Sequence, residues 1–338
     1  MNSLRLRDIE EKVLAGRTLL KKDARYLSTL SGQDAVDLFC SANRVRRHFR
    51  GNAVDLCAIV NAKSGKCPED CAYCAQSSKS STKIAAYSLL EKKTVLEKAR
   101  EAKKGGARRF CIVTSGKRVS ETEIEKIADM VSSVRSIGLL PCATLGLITR
   151  RDLQTLKKAG LERYHNNLET SERFFPSICT THSYEDKVST IHSARDTGLS
   201  ICSGGIFGLG ETWQDRIDMA FALRAIEPDS VPINFFNPIQ GTKLSRRKPL
   251  APLEALTIIS IYRFILPDKQ IRVCGGRLHI LGDLHPFIFL AGADGLLVGN
   301  YLTTLGRGYA EDIRMIRNLG LDNAQHLPVI QSSMPQTI

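Results

Sequence analysis

Long apolar runs are missing from this 338-residue chain. No stretch approaches the roughly 18 unbroken apolar residues that a membrane-spanning helix requires, so no membrane partner is expected. Aromatic residues are scarce at 6 %, with one tryptophan, and no stacking platform for nucleic-acid bases is visible. The opening Met1-Asn2-Ser3-Leu4-Arg5-Leu6-Arg7-Asp8 lacks the apolar centre of a secretory signal and meets Asp8, Glu10 and Glu11 at once. A cytoplasmic protein is the expectation.

What is present describes a globular protein: 43 % hydrophobic and 25 % charged residues, with enough length for one large domain or two small ones. The balance of 48 basic against 35 acidic residues leaves 13 positive charges. They are spread through short clusters such as Lys103-Lys104, Arg108-Arg109 and Arg246-Arg247-Lys248, which reads as a solvated basic surface and not a nucleic-acid site. Ten cysteines in a chain expected to stay reduced point to metal or redox chemistry more than to a disulfide scaffold.

Residues 1–50 show helical periodicity without strand alternation, in Ile9, Val13, Leu14, Leu19 and Leu20 and again in Ala35, Val36, Leu38 and Phe39, and predict an N-terminal helical extension. From residue 54 short apolar runs alternate with longer amphipathic segments, the pattern of a parallel sheet covered by helices. Candidate strands are 54–60, 109–114, 140–145, 163–168, 200–204, 230–234, 270–275 and 295–299, eight in number. Helices are expected over 94–104, 121–137, 150–159, 184–197, 212–225, 252–266 and 284–291, with glycines as stops. The leading fold is an α/β (β/α)8 TIM-type barrel over 51–310, with an open doubly wound sheet as the alternative. Residues 311–338 complete the expected organisation as a C-terminal helix and a loose polar tail over 331–336.

The strongest local signal is Cys67-Pro68-Glu69-Asp70-Cys71-Ala72-Tyr73-Cys74. It follows the first strand, on the face where barrels of this kind build their sites. No fourth Cys or His stands at zinc-finger spacing, and three thiolates leave one metal position open. This C-x3-C-x2-C spacing, with an aromatic residue before the last cysteine, resembles the signature of radical S-adenosylmethionine enzymes. The resemblance implies a [4Fe-4S] cluster on Cys67, Cys71 and Cys74, whose open iron chelates S-adenosylmethionine.

Three further cysteines fall in separate expected strands: Cys111, Cys142 and Cys202. If those strands wall one barrel, inward positions meet inside it. With Cys274 they suggest a second cluster, against the plainer reading of small buried hydrophobes. Together with Arg109-Phe-Cys, Asn167-Leu-Glu-Thr-Ser, Cys202-Ser-Gly-Gly-Ile-Phe-Gly-Leu-Gly-Glu-Thr and Ser230-Val-Pro-Ile-Asn, the chain resembles the biotin synthase family over most of its length. The resemblance implies a homodimer, a reduced flavodoxin- or ferredoxin-like electron donor, and an auxiliary iron–sulfur cluster, [2Fe-2S] or larger, that gives its sulfur to dethiobiotin. Cys111, Cys142 and Cys202 would hold that cluster with an arginine that aligns with Arg272. Cys274 stands two residues on, on the same strand face. As the softer donor, Cys274 is expected to replace or supplement Arg272.

The resemblance further gives Asn167 and Glu169 to the cofactor ribose, with Asn167 approaching the substrate. Tyr73 and Ile206 would flank adenine, Lys187 would meet the methionine carboxylate, and Asn234 the substrate. The family's Tyr-Asn-His-Asn run is Tyr164-His165-Asn166-Asn167 here, which makes His165 the candidate donor to the ureido group. Cys40, Cys57 and Cys179 are assigned to packing or free thiols, and the histidines show no metal motif. Two other readings stay open: a hydrogenase-maturation-like radical enzyme, and a zinc-stabilised basic binding protein.

Overall fold

The computed structural model describes residues 2–303 and 306–324; the tail expected over 331–336 lies outside them. Strands β1 (Ala53–Lys63), β2 (Arg109–Thr114), β3 (Leu140–Thr144), β4 (Arg163–His165), β5 (Ser200–Cys202), β6 (Gly205–Phe207), β7 (Ser230–Phe235), β8 (Gln270–Val273) and β9 (Gly295–Leu297) form a parallel sheet. It closes where Asp55, Leu56 and Cys57 of β1 pair with Gly295, Leu296 and Leu297 of β9. Closure excludes the doubly wound alternative. The fold is the TIM-type barrel, with β5 and β6 as two segments of one stave, both paired to β7.

The break in that stave has a steric cause. A Cβ on Gly204 would stand 2.0 Å from the Pro232 carbonyl, and one on Gly205 2.6 Å from the Glu169 carbonyl, so the glycine pair permits the close approach of neighbouring chain. Next to it, β4 stops at His165 where 163–168 was expected. Leu168 and Glu169 still bond Gly204 O, but Glu169 has a φ of 71°, outside the strand region.

The outer helices are α1 (Asn2–Leu14), α2 (Lys21–Leu27), α3 (Gly32–Arg50), α4 (Lys92–Lys104), α5 (Glu121–Ser136), α6 (Arg150–Lys158), α7 (Tyr184–Asp196), α8 (Trp213–Ile226), α9 (Pro252–Ile265), α10 (Arg277–Leu281), α11 (Phe287–Leu290) and α12 (Tyr309–Asn318). Ser120/Glu123, Thr149/Asp152, Ser183/Asp186 and Thr212/Asp215 close reciprocal capping boxes on α5 to α8, each stabilising its helix end by about 1 kcal/mol. The single helix expected over 284–291 is shorter, because Pro286 interrupts it and only α11 follows. Helix α10 was not expected at all. The N-terminal helices pack outside the barrel: α1 lies on α3 and α3 on α9, with Ile9, Val13, Leu38 and Phe39 in the common core.

Strand parity places the chemistry. On β1, Val54, Leu56, Ala58 and Val60 join the core under the helices, while Cys57 and Ile59 face the barrel interior. The same alternation sends Phe110, Ile112, Ala143, Ile201, Ile271 and Val273 outward, and Arg109, Cys111, Cys142, Cys202, Arg272 and Cys274 inward to one cavity.

Candidate active site

That cavity has a volume of about 450 Å³, within the range of small-molecule sites. Its inner end carries the strand thiols. Cys111 of β2 sits in register with Cys142 of β3, and His165 of β4 with Cys202 of β5. Cys57, Cys111, Cys142 and Cys274 pack in one buried group. The neighbouring Cys57 thiol lowers the Cys142 pKa against burial, helped by Arg109, Arg163 and Arg272. Burial pushes Cys274 up to about 12 despite Arg272, so the thiol is neutral near pH 7.

Three guanidinium groups form the floor below these thiols. Asp55 is their common counter-charge: Arg272 Nη2 donates to its Oδ1 at 2.7 Å and Arg109 Nε to its Oδ2 at 3.3 Å. Burial opposes ionisation of Asp55, but Arg272, Arg109 and Arg163 outweigh it and hold the carboxyl well below the usual range. Arg272 also donates to Gln270 Oε1 at 2.6 Å and to the Asp55 and Leu296 carbonyls. Both its Nη atoms are therefore engaged with protein acceptors; Arg272 and Cys274 both line the cavity, and the Cys274 thiol donates to the Arg272 carbonyl at 3.7 Å.

At the outer end Cys67, Cys71 and Cys74 lie in one folded loop after β1. Cys67 N bonds Gln76 O, Ser78 N bonds Cys67 O, and Cys74 N bonds Cys71 O. Gln76 Oε1 accepts from Gly65 N at 3.2 Å, and Lys66 is held at a φ of 51°, a left-handed conformation that costs a non-glycine residue about 1 kcal/mol or more. Among the described residues these three sulfurs are not a set lying within 4.8 Å of one another.

Between the two ends runs a hydrogen-bonded chain. Cys111 Sγ lies 3.4 Å from Thr144 Oγ1, Thr144 Oγ1 2.8 Å from His165 Nδ1, and His165 Nε2 2.8 Å from Asn167 Oδ1. Asn167 Nδ2 then donates to Glu169 Oε2 at 3.3 Å, and Glu169 Oε1 lies 3.9 Å from Lys187 Nζ. Gly204 N donates to Asn167 Oδ1 at 3.1 Å, which fixes the amide orientation. His165 must then donate from Nε2 and accept at Nδ1. Burial pushes its pKa down, keeping it neutral. With both ring nitrogens engaged, His165 reaches an outside carbonyl only by giving up a bond. Asn234 is similarly held, donating to Gly205 O at 3.2 Å and accepting from Gly275 N at 3.1 Å. Tyr73, Lys187 and Ile206 line the same cavity.

The cavity suits acceptor-rich anionic groups. Arg109 Nη1 and Asn166 Nδ2 are buried N–H donors with no hydrogen-bond partner, and both residues line it. An iron–sulfur cluster, with its sulfides, and a carboxylate-bearing cofactor are of the kind such donors satisfy.

Two residues set aside in the sequence belong here. Cys57 joins the deep thiols; the signal was parity, since the polar Asp55 and Asn61 mark the odd positions of β1 as inward. Cys179 lies 3.7 Å from Cys71, sulfur to sulfur, and 3.3 Å from His182 Nδ1, although the histidines had shown no metal motif. The separation of 108 residues between Cys71 and Cys179 hides this pairing from any spacing rule. Cys40 is half-buried in α3, away from the cavity.

Comparison with known proteins agrees with this geometry. The Radical SAM superfamily matches residues 62–223, and the Biotin and Thiamin Synthesis associated domain matches residues 232–322. The chain is 55 % identical over 285 residues to the biotin synthase of Thermodesulfovibrio yellowstonii, covering 84 % of this chain and 90 % of that protein. It is 48 % identical over 318 residues to the biotin synthase of Geobacter metallireducens, covering 94 % and 97 %. The crystal structure of methylornithine synthase (PylB) shares the fold, with a TM-score of 0.82 at 22 % identity over 94 % of this chain and 97 % of that one. These relatives favour neither the hydrogenase-maturation-like nor the zinc-stabilised reading, and the chain belongs to the biotin synthase family.

Proposed function

We propose that this cavity performs the biotin synthase reaction, insertion of sulfur into dethiobiotin to form biotin, with the two thiol groups at its ends serving two different clusters. The single observation that carries the reading is that both groups, and the polar chain between them, line one cavity. Cys67, Cys71 and Cys74 would hold a [4Fe-4S] cluster, and Cys111, Cys142, Cys202 and Cys274 an auxiliary cluster, with Cys57 as a further thiol donor. When bound, these groups and S-adenosylmethionine supply radical C–H activation and the sulfur atom.

The chain's own residues supply alignment. An unactivated C–H must sit near both centres with water excluded, and the inward faces of β1 to β8 enclose the space where it would lie. Tyr73 and Ile206 offer apolar flanks for adenine, Lys187 a cation for the methionine carboxylate, and Asn167 and Glu169 acceptors for the ribose. Arg272, paired with Asp55, is assigned the role of a buried positive charge near the auxiliary thiolates, with the fourth ligand position going to Cys274. His165 acts on the substrate through Asn167, whose amide it holds, and Asn234 offers a fixed amide edge. A flavodoxin- or ferredoxin-like reductant and a homodimer complete the proposal. No helix among the described residues is long and apolar enough to cross a membrane.

Anaerobic assay with dethiobiotin, S-adenosylmethionine and a reductant tests the reading. Biotin and 5′-deoxyadenosine are expected together. Deoxyadenosine without biotin would overturn it in favour of a different substrate.

A further inference from the structure

Among the described residues, a second group of metal-ligating side chains stands at the cavity mouth and shares Cys71 with the three-cysteine set. The donor atoms of Cys71, Cys179 and His182 all lie within 4.8 Å of one another. Cys71 Sγ and Cys179 Sγ are 3.7 Å apart, and Cys179 Sγ is 3.3 Å from His182 Nδ1. Two thiolates on a tetrahedral ion with metal–sulfur bonds of about 2.3 Å stand about 3.8 Å apart, and a thiolate and an imidazole nitrogen about 3.6 Å. Two edges are thus already near those of one tetrahedral face, and the third, from Cys71 Sγ to His182, lies within 4.8 Å. Glu69 Oε2 bonds His182 Nδ1, so this nitrogen takes an ion by releasing its proton, and the carboxylate oxygen then lies beside that face.

This arrangement is built into the two loops. Ala72 N donates to Ile178 O at 2.8 Å, next to Cys71 and Cys179. The Asp70 carboxylate accepts from Thr180 N at 2.9 Å and from Thr180 Oγ1 at 2.5 Å, and Thr181 Oγ1 donates to Glu69 Oε2 at 2.8 Å. Lys117 Nζ holds the Thr181 carbonyl from the other side at 2.9 Å. Bonds on each flank fix Cys179 against Cys71, and neither Cys179 nor His182 is needed by a three-cysteine cluster.

We propose that Cys71, Cys179 and His182, with Glu69 beside them, form a mononuclear site for a divalent transition ion, ferrous iron or zinc, that receives the first metal before the mouth cluster is assembled. Two sulfurs and an imidazole suit both ions. Cys71 belongs to both donor sets, so the ion is held until the cluster claims that thiolate. The ion site stands on its own geometry; its place before cluster assembly rests on Cys71 being a cluster ligand.

Cobalt(II) titration of the full-length, cluster-free chain under anaerobic conditions tests this, read by thiolate-to-cobalt charge-transfer absorption. The deep thiols are common to every variant and cancel in the comparison. Cys179→Ser and His182→Gln are each expected to lose one equivalent of cobalt relative to the parent chain, with an unchanged circular dichroism spectrum. Cys67→Ala/Cys74→Ala is expected to keep that equivalent. On reconstitution with ferrous iron and sulfide, Cys179→Ser is expected to reach the parent's iron content more slowly, whereas Cys67→Ala/Cys74→Ala loses the mouth cluster. An unchanged cobalt count in Cys179→Ser, or loss of the equivalent in Cys67→Ala/Cys74→Ala, would overturn the proposal. So would a Cys179→Ser protein unable to hold the mouth cluster, since Cys179 would then be a ligand of the cluster itself.

Discussion

The cavity's two ends hold sulfur in opposite ways. At the mouth, Cys67, Cys71 and Cys74 sit within eight residues on a loop, positioned by backbone hydrogen bonds and with the acidic Glu69 and Glu169 as neighbours. At the inner end, Cys57, Cys111, Cys142, Cys202 and Cys274 come from separate stretches of the wall, over a floor of Arg109, Arg163 and Arg272 balanced by Asp55. A loop can reshape as its metal is loaded, while the strand thiols are fixed by the barrel. Positive charge within the wall offsets the cost of gathering thiolates in a buried space. The difference suits a mouth centre open to an outside ligand and an inner centre kept from water.

The comparison breaks most sharply in single-thiol variants. Cys71→Ala is expected to abolish 5′-deoxyadenosine formation, whereas Cys274→Ala is expected to keep it and lose biotin, with chromatography of both products as the check. Equal loss of both products in the two variants would remove the division of labour.

Next in size is the floor. Asp55→Asn leaves buried guanidinium charge without its partner and is expected to cost about 3–5 kcal/mol in anaerobic denaturant unfolding. Because folding lowers the Asp55 pKa, its stabilisation is present above the unfolded value of 3.8 and is lost as pH falls through and below it. Glu69→Gln at the mouth is expected to change stability far less, because an amide oxygen can still accept from the Thr181 hydroxyl and from His182.

Much of this contrast was legible in the sequence, and the reasons for the gaps are physical. The mouth triad is contiguous, so spacing alone exposes it. The deep set needs closure of the sheet to be assumed, and even then Cys57 was read as packing, because one thiol in an apolar strand resembles a small core residue unless Asp55 and Asn61 are used to set the parity. Cys179 and His182 were out of reach, since only the folded return of the loop before α7 brings them to Cys71. Strand cores emerged from short apolar runs between amphipathic segments, but the split of the fifth stave into β5 and β6 depends on the approach of Pro232 O to Gly204, a tertiary contact.

A smaller effect sharpens the link between the ends. Thr144→Val removes the hydroxyl joining Cys111 to His165 and is expected to lower biotin formation about 10–100-fold, the usual range for partners just behind a metal ligand. The auxiliary centre's reduction potential shifts while the mouth cluster's spectrum stays the same. Potentiometry of both centres checks it, and a shift at the mouth alone would contradict the chain of contacts described.

The smallest effect belongs to neither end and serves as a reference. His285 is buried beside Arg277 and Arg307, and burial followed by those charges lowers its pKa from 6.5 to about 3. The unfolded chain takes a proton that the folded chain refuses, so stability falls as pH drops below about 6.5 towards 3. His285→Gln is expected to flatten that part of the melting-temperature profile while leaving the thiol ends unaffected.

The most direct test is Mössbauer spectroscopy of the Cys67→Ala/Cys71→Ala/Cys74→Ala protein, reconstituted anaerobically with iron-57 and sulfide. Two independent sulfur sites require that the [4Fe-4S] signal of the mouth disappear while the auxiliary cluster's signal and iron count remain. Loss of all iron–sulfur signal, or retention of both signals, would show that the two groups of cysteines are not separate centres.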